Sequence, residues 1–281
     1  MKVIPLAFES LGTRGMCTSV ETGDTTVLID PGVNLAPDRF GLPPHPLELE
    51  RKREHWERIE KAASGSDVLI VTHYHFDHIN PDGLDVFRNK VALLKDPHHN
   101  VNYNQEQRAK EIVPVLTSIA TQVHYADGAD FNFGKTTISF SPAVHHGTHP
   151  RVYTIQVSIA DGVERVVHTS DVVGAELDEH VDFVVETDPN LLIIDGPNYS
   201  AEKPSVEGIL QILNRTSVKT MIVEHHLLRD ERWKEQIAEV YRFASGRDVR
   251  VVSAAEFLGM ENDLLEARRR KLYIDYPVES E

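Results

Sequence analysis

The segment VTHYHFDHINP, from Val71 to Pro81, constrains the fold of this chain more than any other. It follows the apolar run DVLIV, which is typical of a buried strand, and it places His73, His75, Asp77 and His78 within six residues. Polar side chains at a buried position cost free energy unless each finds a partner. Zinc and similar cations take imidazole and carboxylate ligands. The segment therefore predicts a metal site at the end of a strand.

Four other apolar runs end in the same way. They are followed by Asp30 (TTVLI), His145 (TISFSPAV), Asp171 (VERVVHTS) and His225 (TMIVE). Sites are commonly built where strand ends gather at one edge of a sheet. A lone buried histidine is usually only hydrogen-bonded, but five such clusters in one chain indicate a metal centre.

The composition excludes some functions. Among 281 residues, 41% are hydrophobic and 26% are charged, which is typical of a globular protein with a sizeable core. The formal net charge of -15 disfavours a nucleic-acid surface, which requires clustered lysine and arginine. The one dense basic run, ARRRK at Ala267 to Lys271, is predicted to be a solvated helix face.

The chain is expected to be cytoplasmic. It has a single cysteine, Cys17, which fits a reducing compartment. No apolar run is long enough to span a membrane, and the opening MKVIPLAFESLGTRGM lacks the apolar stretch of a signal peptide.

Periodicity predicts a single domain, 1–281, of mixed α and β structure. Two β-rich halves each end in helices, which indicates helices over both outer faces of packed sheets. Asp161-Gly162 is a hairpin signal in the second half. The predicted helices cover Glu48 to Ala63, Asn104 to Ala120 (with a break allowed at Pro114), Lys203 to Asn214 and Asp230 to Ala244.

The polar segments carry a family resemblance. LIDPG, THYHFDH, the AVHHG histidine, HTSD and the VEHH histidine, in that order, resemble the five motifs of the metallo-β-lactamase superfamily. The match runs from Thr25 to His226, and the insertion PGVNLAPDRFGLPPHP is similar to an archaeal branch of that superfamily. The resemblance implies an αββα sandwich, a two-metal site that usually holds zinc, and hydrolytic chemistry in most members.

The resemblance also implies roles for individual residues. The first metal would be held by His73, His75 and His145, and the second by Asp77, His78 and His225. Asp171 would bridge the two ions, and Asp30 would accept a hydrogen bond from a ligand imidazole. The ions are expected to be zinc, with manganese or iron as alternatives.

Two histidine pairs leave alternatives open. The first residue leaving the strand is the usual ligand in the superfamily, which favours His145 over His146. Aligning Arg229 with the arginine of the tRNA-processing branch favours His225 as the ligand. His226 would then line the pocket and stabilise an oxyanion.

Catalysis would use a metal-bound hydroxide, with Asp77 passing a proton to the leaving group. Arg229 is a candidate for binding an anionic substrate group, although a surface ion pair with Asp230 or Glu231 is equally consistent with the sequence. Tyr199 is a weaker candidate for the pocket, and a tyrosine of the core or a loop is the alternative.

The substrate is expected to be a small molecule with an ester-like bond, a phosphodiester ahead of a lactone or thioester. No nucleic acid or membrane partner is expected, and an RNA-processing nuclease is disfavoured by the acidic charge. A di-iron redox enzyme and a metal-binding protein without catalysis remain alternatives. The redox branch normally carries an added flavin domain, for which this chain offers no room.

Overall fold

Two β-sheets packed face to face form the centre of the computed structural model, which describes residues 1–199 and 204–278. The first sheet has antiparallel pairing among its first three strands and parallel pairing from the third strand onward. In spatial order its strands are β1 (Lys2–Phe8), β2 (Met16–Glu21), β3 (Thr26–Ile29), β4 (Val68–Val71), β5 (Val91–Leu94) and β6 (Gln122–Tyr125).

The second sheet is also mixed. Antiparallel pairs join β7 (Asp130–Phe133), β8 (Thr136–Phe140), β11 (Val157–Ala160) and β12 (Arg165–His168). Parallel pairs continue the sheet through β13 (Leu191–Asp195), β14 (Thr220–Glu224) and β15 (Arg250–Val252). A separate two-stranded ribbon consists of β9 (Val144–His145) and β10 (Tyr153–Thr154).

Helices cover the outer face of each sheet. α1 (Pro46–Ser64) and α2 (Tyr103–Ile119) bury apolar side chains against the first sheet. α3 (Asp178–Thr187), α4 (Glu207–Arg215) and α6 (Ala238–Ser245) do the same against the second. The shorter helices are α5 (Trp233–Gln236), α7 (Ala254–Phe257) and α8 (Arg269–Asp275). A third apolar cluster fills the space between the sheets. The predicted αββα sandwich is therefore confirmed.

Local chemistry explains where the first two helices lie. α1 begins two residues before the predicted start because the His45 side chain accepts from the backbone N–H of Leu47, while Glu48 accepts from that of His45. α2 is not interrupted at Pro114. Pro114 is exposed, so water can satisfy the carbonyl that proline leaves without a backbone donor.

The predicted helix from Lys203 begins outside the described residues, and α4 starts at Glu207. The predicted solvated face of the ARRRK run is wrong at Arg269, which is fully buried. Its guanidinium is 2.8 Å from a carboxylate oxygen of Glu48 and donates to the carbonyls of Ala36 and Leu42, so it fixes the long loop before α1.

The parallel strands bring the polar segments to one edge. β3 and β4 lie side by side in the first sheet, and β12, β13 and β14 do so in the second. Because the carboxyl ends of parallel strands share an edge, the residues that follow these five strands converge. Gly32 allows the loop after β3 to pack closely against the segment after β4. A Cβ at this position would lie 2.5 Å from backbone atoms of His78 and Ile79. Among the described residues, no helix is long and apolar enough to cross a membrane.

Candidate metal centre

Three imidazoles and a carboxylate form the first group of potential metal ligands. Donor atoms of His73, His75, His146 and Asp171 all lie within 4.8 Å of one another. Nε2 of His73 is 2.9 Å from Nδ1 of His75, and Nε2 of His146 is 3.0 Å from Oδ2 of Asp171. The two histidines of the HxH spacing thus point at one place, as the sequence predicted.

A second group adjoins the first. Donor atoms of Asp77, His78 and His225 also lie within 4.8 Å of one another. Oδ1 of Asp171 is 3.0 Å from Nε2 of His78, and its Oδ2 is 3.3 Å from Nε2 of His225. The Asp171 carboxylate therefore contacts imidazoles of both groups, which is the arrangement a bridging ligand requires.

The prediction that His145 joins the first group is wrong, and His146 takes that place. The His145 ring turns toward Glu179, with Nδ1 2.7 Å from a carboxylate oxygen, and it stacks on Tyr153 at a centroid distance of 4.6 Å. Side chains of an extended segment alternate in direction. Val144 points into the apolar core, so His145 points away from it and His146 returns to the inner side.

In the second histidine pair, His225 and His226, both rings reach the metal centre. His225 contributes Nε2 to the second group, in line with the prediction. His226 has a ring nitrogen within 4.8 Å of donor atoms of Asp171 and His225. Nδ1 of His226 is 3.0 Å from a carboxylate oxygen of Asp195, so its Nε2 is the nitrogen available to the centre.

Buried hydrogen bonds orient the clustered rings. Nδ1 of His78 is 2.7 Å from Oδ2 of Asp30, the hydrogen bond that the sequence predicted for this carboxylate. Nδ1 of His73 faces three hydroxyl groups at 3.3–3.4 Å, those of Thr72, Thr154 and Ser170. Such contacts fix which nitrogen of each ring faces a metal.

The backbone is strained at three positions beside the centre. Asp30, Ser170 and His225 have φ angles of 50°, 55° and 60°. These values lie in the left-handed region, which costs free energy for residues with a Cβ. Each of the three lies one or two residues after a strand end, and the strained backbone places there either a candidate ligand (His225) or a group that contacts a ligand ring (Asp30 and Ser170).

The two groups differ in electrostatics. Burial, together with neighbouring histidines, lowers the pKa of His73 well below its usual value, and burial lowers that of His75 to about 4. Burial also acts to lower the pKa of His225, but the carboxylates of Asp171 and Glu9 outweigh it and raise that pKa to about 10. His73 and His75 thus present neutral imidazoles, whereas carboxylates dominate the electrostatics around His225 and favour a cation there.

The residues present fit divalent metal ions. Nε2 of His78 and Oδ1 of Asp171 are buried and lie 3.0 Å apart, but their geometry is not that of a hydrogen bond, and neither has another hydrogen-bond partner within the part of the chain that the structure describes. Unpaired buried polar atoms are costly unless a ligand satisfies them. Imidazole nitrogens combined with carboxylate oxygens are the donor set that zinc accepts, and iron and manganese also bind such sites.

Two carboxylates at the centre were missed by the sequence analysis. Glu9 follows β1, is buried, and accepts from Nδ1 of His225 at 2.9 Å. Asp195 ends β13 and accepts from the ring and the backbone N–H of His226. Burial raises the pKa of Asp195 to about 6. Glu9 follows an apolar run and Asp195 ends one. The pattern that identified Asp30, a polar residue at the end of an apolar strand, therefore also applies to these two residues.

Arg229 and Tyr199, the two weaker candidates for substrate binding, lie in different surroundings. Arg229 pairs with Glu9 at 3.3 Å rather than with Asp230 or Glu231, and its Nη2 is 3.2 Å from Nε2 of His225. The hydroxyl of Tyr199 donates to the backbone carbonyl of Gln236, and its ring packs against the outer apolar cluster of the second sheet. Tyr199 is thus a packing residue, which was the alternative reading of the sequence.

Comparison with known proteins gives a family and a fold. Residues 12–210 match the model of the Metallo-beta-lactamase superfamily. The chain is 41% identical over 290 residues to a UPF0282 protein of the archaeon Korarchaeum cryptofilum, covering 99% of this chain and 96% of that one.

Two solved structures share the fold at low sequence identity. The isothiocyanate hydrolase from Delia radicum gut bacteria is 16% identical, with a TM-score of 0.57 over 90% of this chain and 95% of its own. CmlA, a diiron β-hydroxylase from Streptomyces venezuelae, is 14% identical, with a TM-score of 0.53 over 88% of this chain and 51% of its own.

Proposed function

Because this chain belongs to the metallo-beta-lactamase superfamily, whose members are generally metal-dependent hydrolases, we propose that it is a binuclear metal-dependent hydrolase of a small ester-like substrate. The observation that carries the proposal is the position of Asp171. Its two carboxylate oxygens lie 3.0 Å from His146, 3.0 Å from His78 and 3.3 Å from His225, so one side chain contacts both ligand groups.

The ligands divide into two sets. His73, His75 and His146 would hold the first ion, Asp77, His78 and His225 the second, and Asp171 would bridge them. Zinc fits these donors best, with manganese or iron as alternatives. When bound, such a pair of ions would activate water as a nucleophile at neutral pH and polarise the bond that is cleaved.

His226 and Asp195 form a unit suited to handling a proton. Asp195 accepts from Nδ1 of His226, which leaves Nε2 facing the centre. Burial and the positive charges of Arg229 and His225 lower the pKa of His226 well below its usual value, so its ring is neutral before the reaction. Its Nε2 can accept the proton that a nucleophilic water gives up and then pass that proton to the leaving group, or use it to stabilise a developing oxyanion. Asp77, which is partly exposed at the second group, is the other candidate for passing a proton.

We favour a phosphodiester over a lactone or thioester. Two cations favour a reaction whose transition state gathers negative charge, and phosphoryl transfer does so strongly. Arg229 brings a further positive group next to His225, where it would bind an anionic oxygen of the substrate. The net charge of -15 weakens the case for a polymeric nucleic acid but not for a small anion. A single cysteine fits action in the reducing cytoplasm.

Metal analysis and a substrate panel test this proposal. Purified protein is expected to contain close to two transition-metal ions per chain. Zinc-loaded and manganese-loaded protein is expected to hydrolyse bis(p-nitrophenyl) phosphate, and the matched Asp171→Asn protein is expected not to. Turnover of lactones or thioesters alone would reverse the ranking of substrates. No turnover with both ions bound would favour a metal-binding protein without catalysis.

A further inference from the structure

A cavity of about 540 Å³ lies between the start of α2 and the loop that joins β9 to β10. Its lining includes Asn102, Tyr103 and Asn104 on the helix side and His149, Arg151 and Tyr153 on the loop side. This volume is within the range of pockets that hold a small molecule. The two ligand groups of the metal centre use none of these six residues.

Both walls of the cavity are joined to segments that carry ligands of the first group. On the helix side, the Gln105 side chain accepts from the backbone N–H of Tyr74, the residue between the two histidines of the HxH spacing. On the loop side, the backbone N–H of His149 donates to the carbonyl of His146 at 3.2 Å. The cavity therefore lies beside the first metal site, where it can receive a part of the substrate that extends away from the bond that is cleaved.

The lining of the cavity is positive although the chain is acidic. The net charge is -15, yet no aspartate or glutamate lines the cavity within the described ranges, 1–199 and 204–278. Arg151 is exposed, and its guanidinium forms no ion pair or hydrogen bond with any other residue that the structure describes. Arg14 and Arg229, by contrast, each pair with a glutamate. The charge of Arg151 is therefore available to an anion from outside the chain.

His149 and Tyr153 add hydrogen-bonding groups to the same wall. Nδ1 of His149 accepts from the backbone N–H of Arg151 at 3.4 Å, so Nε2 is the nitrogen that carries the proton of a neutral ring. The ring of Tyr153 stacks on His145 at a centroid distance of 4.6 Å, which fixes its position at the cavity. A guanidinium fork flanked by an imidazole N–H and a phenol hydroxyl suits the oxygens of a phosphate or a carboxylate.

We propose that this cavity binds an anionic group of the substrate, a phosphate or a carboxylate, and that Arg151 selects for that group. The inference rests on the proposed function, because it assigns a place to the end of the substrate that lies away from the metals. Arg151 would form charge-assisted hydrogen bonds with the anion, and His149 would donate a further one. Arg151 does not touch the reacting bond, so it determines the affinity for the substrate and not the rate of the chemical step.

Binding of matched phosphonates tests the proposal without relying on turnover. Each phosphonate is a non-hydrolysable analogue of a phosphodiester and carries an arm of equal length that ends in a phosphate, a carboxylate or a methyl group. Isothermal titration calorimetry of the metal-loaded full chain measures the dissociation constant of each. A charged arm is expected to bind about tenfold or more tightly than the methyl arm, as charge-assisted hydrogen bonds contribute. The stronger of the two charged arms identifies the anionic group.

Three variants locate the preference. Arg151→Gln is expected to abolish it, and Arg151→Lys to retain part of it, since lysine keeps the charge but not the fork of donors. Lys110→Gln is the matched control: Lys110 also lies on α2, but it pairs with Glu106 at 2.7 Å and does not line the cavity. This control is expected to leave the preference unchanged. In turnover of the corresponding phosphodiesters, Arg151→Gln is expected to raise KM for the charged arms only and to leave kcat unchanged.

Equal binding of charged and methyl arms by the wild-type chain would overturn the inference while leaving the proposed function intact. Equal loss of the preference in Lys110→Gln and Arg151→Gln would also overturn it, since a general effect of surface charge would then explain the result. Lack of turnover of all the phosphodiesters would overturn the proposed function instead. A preference for the charged arms that Arg151→Gln abolishes would still support the anion site in that case.

Discussion

Nδ1 of His78 lies 2.7 Å from Oδ2 of Asp30, and neither side chain is exposed to solvent. The same carboxylate accepts from the backbone N–H and the hydroxyl of Thr72, at 2.8 and 2.7 Å. Nε2 of His78 is thereby aimed at Asp171. Asp30 thus determines the direction of a metal-binding nitrogen without itself facing the centre.

Asp30→Asn is expected to weaken metal binding about 10- to 100-fold, because an amide N–H would replace the oxygen that accepts from His78. Asparagine tolerates the left-handed backbone at this position (φ 50°), so the change isolates the hydrogen bond. Asp171→Asn is expected to be more damaging and to lose the second ion and all turnover. Elemental analysis and zinc competition measure both variants, and equal metal loss in the two would contradict these assignments.

The adjacent residues His145 and His146 provide a matched comparison. His146→Ala is expected to lose the first ion, because it removes a nitrogen that lies 3.0 Å from Asp171. His145→Ala is expected to keep both ions, because its ring contacts Glu179 and Tyr153 instead. Metal content after dialysis against a weak chelator decides between the two. Metal loss in His145→Ala with retention in His146→Ala would restore the prediction made from the sequence.

His226 and Asp195 are expected to affect turnover more than metal content. His226→Gln and Asp195→Asn should each lower kcat about 100-fold or more, the range typical of a general acid or base, and should alter the pH profile. Both ions are expected to remain, since each of the two ligand groups has a full set of donors without His226. Loss of one ion in His226→Gln would show that this ring binds metal, as its distance from Asp171 and His225 permits.

Most of the fold and most of the centre follow from local sequence. Apolar runs that end in His73–His78, Asp30, Asp171 and His225 predicted the strands and the edge at which they meet. The close spacing of the HxHxDH segment leaves its polar side chains few positions other than one edge of the sheet. The structure brings the four side chains of this segment into two adjoining groups.

What the sequence did not predict depends on contacts between distant segments. The choice between His145 and His146 depends on β9, a strand of two residues whose register is set by β10. Glu9 and His225 are 216 residues apart in the sequence and follow strands of different sheets. Their contact becomes apparent only when the two sheets are packed together. The burial of Arg269 depends in the same way on Glu48, at the start of a helix far away in the chain.

A buried histidine remote from the centre is expected to limit stability in acid. His55, on α1, is buried, and its Nδ1 lies 2.6 Å from the hydroxyl of Thr13. Burial, with the positive charges of Arg58 and Arg51, lowers its pKa to about 3. In the unfolded chain the pKa returns to about 6.5.

Between about pH 6.5 and pH 3 the unfolded chain therefore takes up a proton at His55 that the folded chain does not. The free energy of unfolding is expected to fall as the pH falls through this window, with His55 contributing up to about 1.4 kcal/mol per pH unit. His55→Gln keeps a hydrogen-bonding group but cannot titrate, so its stability should decline less steeply. Urea unfolding of both proteins at pH 7, 6, 5 and 4 measures the difference, and parallel curves would show that His55 does not contribute.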